Sequence, residues 1–230
     1  MHSKKVVVIS LGGSIVIPDK INFEFLDKFK KALKKYSKSH KFVLVIGGGA
    51  IARKYIDALR SEHKPERELS IAGIRATRMN ALFVMQFFGK SANESLPLDM
   101  HRVKNELAKK DIVICGALRF TERATSDTTA AKLSHFLKTD FINMTNVKGL
   151  FSADPRKDKN AKFIPKISWK EFESIALRIK HHAGQHFVLD QDAASIIREN
   201  KIKTYIISPS LKNLENVLKG KKFIGTLISE

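Results

Sequence analysis

Two glycine-rich turns carry the residues best suited to chemistry: Leu11-Gly12-Gly13-Ser14 after the apolar run Val6–Ile9, and Gly47-Gly48-Gly49 after Phe42–Ile46. Each run reads as a short strand buried on both faces, and each turn leads toward a helix. Residues without a Cβ let backbone N–H groups come close to a bound group, and a helix N-terminus favours negative charge. Two such turns at adjacent strand ends predict a site for more than one phosphate. Arg53 and Lys54 then open the second helix, where cations oppose the dipole and a bound anion would remove that cost. Either turn alone reads as an ordinary strand-to-helix connection; the pair points to phosphate.

Three later segments add polar groups. Thr125-Ser126-Asp127-Thr128-Thr129 brings hydroxyls and a carboxylate to a helix start, with Ser126 or Asp127 as a simple N-cap. Thr145–Pro155 is more specific: a strand end, polar side chains, a turn at Gly149, the aromatic Phe151 and an Asp154-Pro155 turn. That supplies an aromatic surface for a base and polar groups for a ribose or phosphate. Asp190 and Asp192 open another helix, where capping is the simpler account. Arg75 and Arg78, one helical turn apart, face either an acceptor phosphate or solvent. His181, His182 and His186 lack a Cys or carboxylate at ligand spacing, so no bound metal is expected.

These residues require an alternating scaffold. Strands are predicted at Lys5–Ser10, Phe42–Ile46, Leu96–Leu98, Asp111–Cys115, Phe141–Met144, Thr204–Ile207 and Phe223–Ile228. Helices are predicted from Asn22, as cap, to Ser37, then at Ile51–Arg60, Ile71–Phe88, Arg102–Lys109, Thr128–Leu137, Trp169–Ile179, Ala193–Asn200 and Leu211–Leu218. In the first of these, Leu26, Phe29, Leu33 and Tyr36 share one face, with lysines on the others. Ser61–Glu68, which contains Pro65, reads as a loop, and Asn146–Ser168 as turn-rich and basic. Strands separated by helices imply an α/β fold whose mostly parallel sheet is covered on both faces.

At 230 residues the chain is long enough for one α/β domain or two small lobes, with a second lobe beginning near Ala117. Hydrophobic residues make up 43% and charged residues 28%, which excludes a disordered chain. No apolar run approaches the roughly 20 residues that span a bilayer, so no membrane partner is expected. Cys115 is the single cysteine; no disulfide can form within the chain, and a reducing cytoplasm is the default compartment. The net charge of +19 would attract nucleotides or nucleic acid. The lysines are spread over most helices without basic-aromatic alternation, which favours solvated faces over a nucleic-acid partner.

In order along the chain, Ile9–Ser14, Gly47–Tyr55, Gly73–Ala81, Asp127–Leu133, Thr145–Pro155 and Leu189–Ile197 together resemble the amino-acid kinase family, and within it the archaeal type of uridylate kinase. The resemblance implies a three-layer αβα sandwich, with an acceptor lobe over residues 1–116 and an ATP lobe over 117–230. It implies transfer of the γ-phosphoryl group of ATP, with Mg²⁺, to UMP, and a homo-oligomer, commonly a hexamer. Carried over by position, Gly13, Ser14, Gly49 and Arg53 would hold the ATP phosphates. Thr145, Asn146, Phe151 and Asp154 would hold the adenosine half. Gly48, Ser70, Arg119, Arg123 and Thr125 would lie on the UMP side, and Arg53 and Asp127 would serve the reacting centre.

The chain departs from the family at Ser10, where many relatives carry a lysine, and at Ser70, where an aspartate usually holds the ribose. Lys148 replaces an acidic residue, and the 118–124 loop is about two residues longer and lacks the usual glycine or proline. Arg119 or Arg123 can supply the cation missing at Ser10. The same resemblance admits another acceptor (a carboxylate, carbamate or isoprenoid phosphate) or a nucleotide-storage role.

Overall fold

The apolar runs become the middle of one sheet. In a computed structural model of the chain, residues 3–18, 20–120, 125–153, 158–178 and 188–230 are described. The strands are β1 (Lys5–Leu11), β2 (His40–Ile46), β3 (Ile112–Cys115), β4 (Asp140–Met144), β5 (Leu150–Phe151), β6 (Phe163–Ile164), β7 (Lys166–Ser168), β8 (Thr204–Ile207) and β9 (Gly225–Ser229). The helices are α1 (Gly13–Val16), α2 (Phe23–Tyr36), α3 (Gly49–Ser61), α4 (Glu66–Phe88), α5 (Met100–Lys109), α6 (Ser126–Leu137), α7 (Trp169–Arg178), α8 (Gln191–Glu199) and α9 (Leu211–Leu218).

Among the described residues, seven strands form one sheet in the order β3-β2-β1-β4-β8-β9-β7. The five from β3 to β8 are parallel, β9 is antiparallel to β8, and β7 follows β9 in parallel. Alternate residues of β1 enter opposite cores, as the pleat requires. Val7, Ile9 and Leu11 pack with Phe29 and Leu33 of α2, Val84 and Phe88 of α4, and Leu214 of α9. Val8 packs with Leu107 of α5, Leu133 of α6, Phe172 of α7 and Ile197 of α8. Burial on both faces explains why the strands read as unbroken apolar runs. The result is the expected α/β sandwich of three layers. No helix among the described residues is long and apolar enough to cross a membrane.

Several expectations need correction. Helix α4 begins at Glu66, within the stretch read as a loop: Pro65 needs no N–H at the N-cap, and Glu66 and Glu68 suit the positive end of the helix. Leu96–Leu98 is not a strand, since Pro97 cannot donate to a ladder. The turn-rich region contains β5 and β6, paired in a separate two-stranded sheet, and β7 at the main sheet's edge. The N-cap of α6 is Thr125, whose hydroxyl accepts from the amides of Asp127 and Thr128, in place of Ser126 or Asp127. Asn22 caps α2 as expected, accepting from Phe25 N.

Candidate active site at the strand ends

Chain order reverses direction at β1: β2 and β3 lie to one side, β4 and β8 to the other. Ligands of open parallel sheets bind beyond the carboxyl ends of strands at such a reversal. Here those ends are Gly12-Gly13-Ser14, Gly47-Gly48-Gly49, Gly116-Ala117-Leu118 and Thr145. They are stitched together beyond the regular ladder: Gly47 N donates to Leu11 O at 3.0 Å and Gly12 N to Met144 O at 3.2 Å.

The two glycine turns interlock. A Cβ on Gly13 would sit 2.1 Å from Gly49 N and 2.6 Å from Gly47 O, and one on Gly49 would sit 2.7 Å from Gly13 O. Gly49 also has φ +60, a left-handed conformation that glycine adopts without cost. These glycines are therefore required first by each other. Helix α3 starts at Gly49 with Gly48 as its N-cap, no side-chain cap and no acid in its first turn. Its N-terminal amides thus lack side-chain acceptors, the arrangement that suits an anion. The start at Gly49 moves Arg53 and Lys54 just past the first turn, and both are exposed. The first glycine turn leads only into α1, a single helical turn of 4 residues.

Asp127 lies in the first turn of α6 over the same strand ends. Ser10, fully buried on β1, donates from Oγ to Asp127 Oδ1 at 2.7 Å. A Cβ on Gly47 would stand 3.3 Å from Ser126 Oγ, so α6 abuts the second glycine turn. Burial pushes the Asp127 carboxyl up to about 7, the Asp190 carboxylate pushes the same way, and the Ser10 hydrogen bond opposes both. Asp190 caps α8 by accepting from Ala193 N at 2.8 Å, as expected. It also accepts from the hydroxyls of Thr128, at 2.8 Å, and Thr125.

Beyond β4, Thr145 N donates to Ile207 O, and Thr145 and Asn146 lead into the turn at Gly149. Phe151 is half-buried, with its ring 5.4 Å from that of Phe163 across the β5–β6 pair. On the other side, Ser70 is half-buried on α4, and Arg119 is exposed. Phe120 lies under the Arg67 guanidinium at 5.9 Å. Arg75 is exposed, whereas Arg78 donates to the carbonyls of Ala117 and Leu118 and so fastens the chain after β3. Arg123, Asp154, His181, His182 and His186 lie outside the described residues. The structure thus brings Ser10, Gly13, Gly47–Gly49 and Asp127 together.

Two buried polar residues escape sequence reasoning. Asn80 donates to the carbonyls of Gly47 and Gly48, and Thr226 joins β9 to both strands of the β5–β6 pair. The signal for Asn80 is faint: with Thr77 it interrupts the apolar face of α4.

Residues 5–208 match the sequence profile of the Amino acid kinase family. The chain belongs to that family. Uridylate kinase from Thermoplasma volcanium is 38% identical over 226 residues, 97% of each chain. Uridylate kinase from Archaeoglobus fulgidus is 36% identical over 224 residues, 97% of this chain and 99% of the relative. The crystal structure of the latter covers 97% of this chain and 99% of its own, with a TM-score of 0.85 at 35% identity. The family fold extends further: UMP kinase from Ureaplasma parvum, at 20% identity, covers 100% of both chains with a TM-score of 0.81.

Proposed function

We propose that this chain transfers the γ-phosphoryl group of ATP to UMP, giving UDP. The observation that carries the reading is the interlock of the two glycine turns beside an uncapped α3 N-terminus, in a chain whose near-full-length relatives are named uridylate kinases. In this reading Gly13, Ser14, Gly49 and Arg53 hold the triphosphate. Thr145, Asn146, Phe151 and, from sequence alone, Asp154 hold the adenosine. Gly48, Ser70, Arg119, Thr125 and, again from sequence alone, Arg123 serve UMP. The division into an acceptor lobe (1–116) and an ATP lobe (117–230) belongs to the same reading.

Phosphoryl transfer asks a protein for in-line positioning and for stabilisation of charge on the transferred group. The acceptor phosphate is ionised at neutral pH, so no general base is needed. Asp127 is the carboxyl at these strand ends that would help hold Mg²⁺ with the triphosphate, and the ion would supply neutralisation of phosphate charge when bound.

The homo-oligomer that the resemblance implies belongs to the same reading. Met79 and Leu82, one turn apart on α4, are 65% and 40% exposed. Such an exposed apolar pair suits a second copy of the chain. Sedimentation of the wild type as a multimer and of a Met79→Glu, Leu82→Glu variant as a monomer is the expected result.

An ADP-release assay with UMP, CMP, acetylglutamate, carbamate and isopentenyl phosphate tests the activity. Turnover with UMP well above the others is expected. Preference for another acceptor overturns the choice of UMP, and silence with all five alongside ATP binding points to nucleotide storage.

A further inference from the structure

Helix α4 fastens both rims of the site from side chains within a single turn. Asn80, 1% exposed, donates from Nδ2 to Gly47 O at 2.9 Å and Gly48 O at 3.1 Å. A trans peptide holds its C=O and the following N–H in opposite directions, and the described chain has no cis bond. Drawing those carbonyls toward α4 therefore turns the Gly48 and Gly49 amides away from it, at the N-terminus of α3.

Three and two residues earlier, the same helix holds the end of β3. Thr77 Oγ1 accepts from Ala117 N at 2.9 Å while donating to Ile74 O at 2.7 Å. Arg78 donates from Nε to Ala117 O at 3.0 Å and from Nη2 to Leu118 O. Gly116 lies so close that a Cβ there would stand 2.7 Å from the Thr77 carbonyl oxygen. Arg119, which the proposed function places beside the acceptor, is the next residue along.

We propose that α4 sets the spacing between donor and acceptor, with Asn80 positioning the Gly47–Gly49 turn, whose Gly49 serves the triphosphate and Gly48 the acceptor, and Arg78 positioning the acceptor segment at Ala117–Arg119. This rests on the kinase reading above. Neither side chain needs to touch a nucleotide; each acts through backbone that it orients. Two rims carried by separate elements would drift independently, whereas rims tied to residues 77–80 of one 23-residue helix move together.

The test is a split between substrates. Asn80→Ala should raise the KM for ATP, and the Kd of a non-hydrolysable ATP analogue measured by calorimetry, about tenfold, and should raise the KM for UMP with it, because Gly48 serves UMP. Arg78→Ala should raise the KM for UMP alone, about tenfold, and leave the analogue's Kd within about twofold. Equal shifts in both substrates for both variants, or no shift in either, overturn the proposal. Should Asn80→Ala fail to fold, Arg78→Ala decides alone: it must raise the KM for UMP and leave the analogue's Kd unchanged. A wild type that binds the analogue but phosphorylates no UMP would refute the kinase reading instead. The calorimetric arm on Asn80→Ala would still judge the role of that residue.

Discussion

Ser10 Oγ donates to Asp127 Oδ1 at 2.7 Å, joining the buried carboxyl end of β1 to the first turn of α6. The bond stabilises the charged carboxylate, while burial and Asp190 stabilise the protonated form, leaving the group at about 7. Removing either neighbour should move it in opposite directions. Ser10→Ala should raise the Asp127 value and Asp190→Asn should lower it. Carboxyl carbon shifts of Asp127 followed by NMR through a pH titration measure both; shifts of the same sign would contradict the geometry.

The same group ties folding to pH. Its value is about 7 in the folded chain against 3.8 for an ordinary solvated aspartate, so between those limits the folded chain holds a proton that the unfolded chain has released. Its contribution to stability is full below the lower value and is lost as pH rises through the upper one. Asp127→Asn has no such proton. The melting temperature of the wild type, measured against that variant by calorimetry from about pH 5 to 8, should therefore fall with rising pH.

The interlocked turns predict sharply different outcomes for two glycines. An alanine Cβ at Gly13 would lie 2.1 Å from backbone at Gly49, which cannot yield without separating β1 from β2. Gly13→Ala should cost at least about 3 kcal/mol in a denaturant titration. At Gly73, inside α4, the nearest atom to a new Cβ is Ile56 Cδ1 at 3.4 Å, the end of a flexible side chain. Gly73→Ala should stabilise the chain by about 0.5–1 kcal/mol.

How much of this was legible in the sequence depends on what each residue answers to. Strand β8 and helix α9 match their predicted bounds, because Thr204–Ile207 is a bounded apolar run and Leu211–Leu218 has a one-sided apolar face. The start of α4 was hidden by Pro65, which punctuates a loop and a helix N-terminus alike. Thr125, Ser126 and Asp127 can all cap, and only the fold selects Thr125. Strands β5, β6 and β7 have 2 or 3 residues each, too few to show a period. In the site, the glycines announced themselves but not their partners: a turn glycine signals freedom, and nothing local tells that Gly13 and Gly49 touch. Asn80 and Thr226 answer to backbone distant in sequence, so neither leaves a motif.

Arg53 offers a test of the proposed triphosphate site with little structural confusion. It is exposed on α3, which has Ala52 as its buried residue. Arg53→Ala should leave the melting temperature almost unchanged and lower kcat about 100-fold, the usual effect of removing one charge-stabilising donor. Near-normal turnover would remove Arg53 from the reacting centre.

Thr226 isolates the proposed adenosine side. Its hydroxyl, fully buried on β9, accepts from Leu150 N at 2.8 Å and donates to Ile164 O at 2.6 Å, two residues that face each other across the β5–β6 pair. Gly149 lies against it, since a Cβ there would be 2.6 Å from Thr226 Oγ1. Valine preserves the shape and removes both hydrogen bonds, leaving the buried Leu150 N–H without that partner at about 1–3 kcal/mol and the half-buried Ile164 C=O without it at less. The β5–β6 pair forms a sheet of its own, so the strain falls there first. Thr226→Val should therefore speed amide exchange at Leu150 and disturb the Phe151–Phe163 ring pair while the main sheet keeps its protection. The KM for ATP should rise several-fold and that for UMP should stay put. Faster exchange at Leu150 with an unchanged KM for ATP would show that Phe151 and its turn do not bind the donor base.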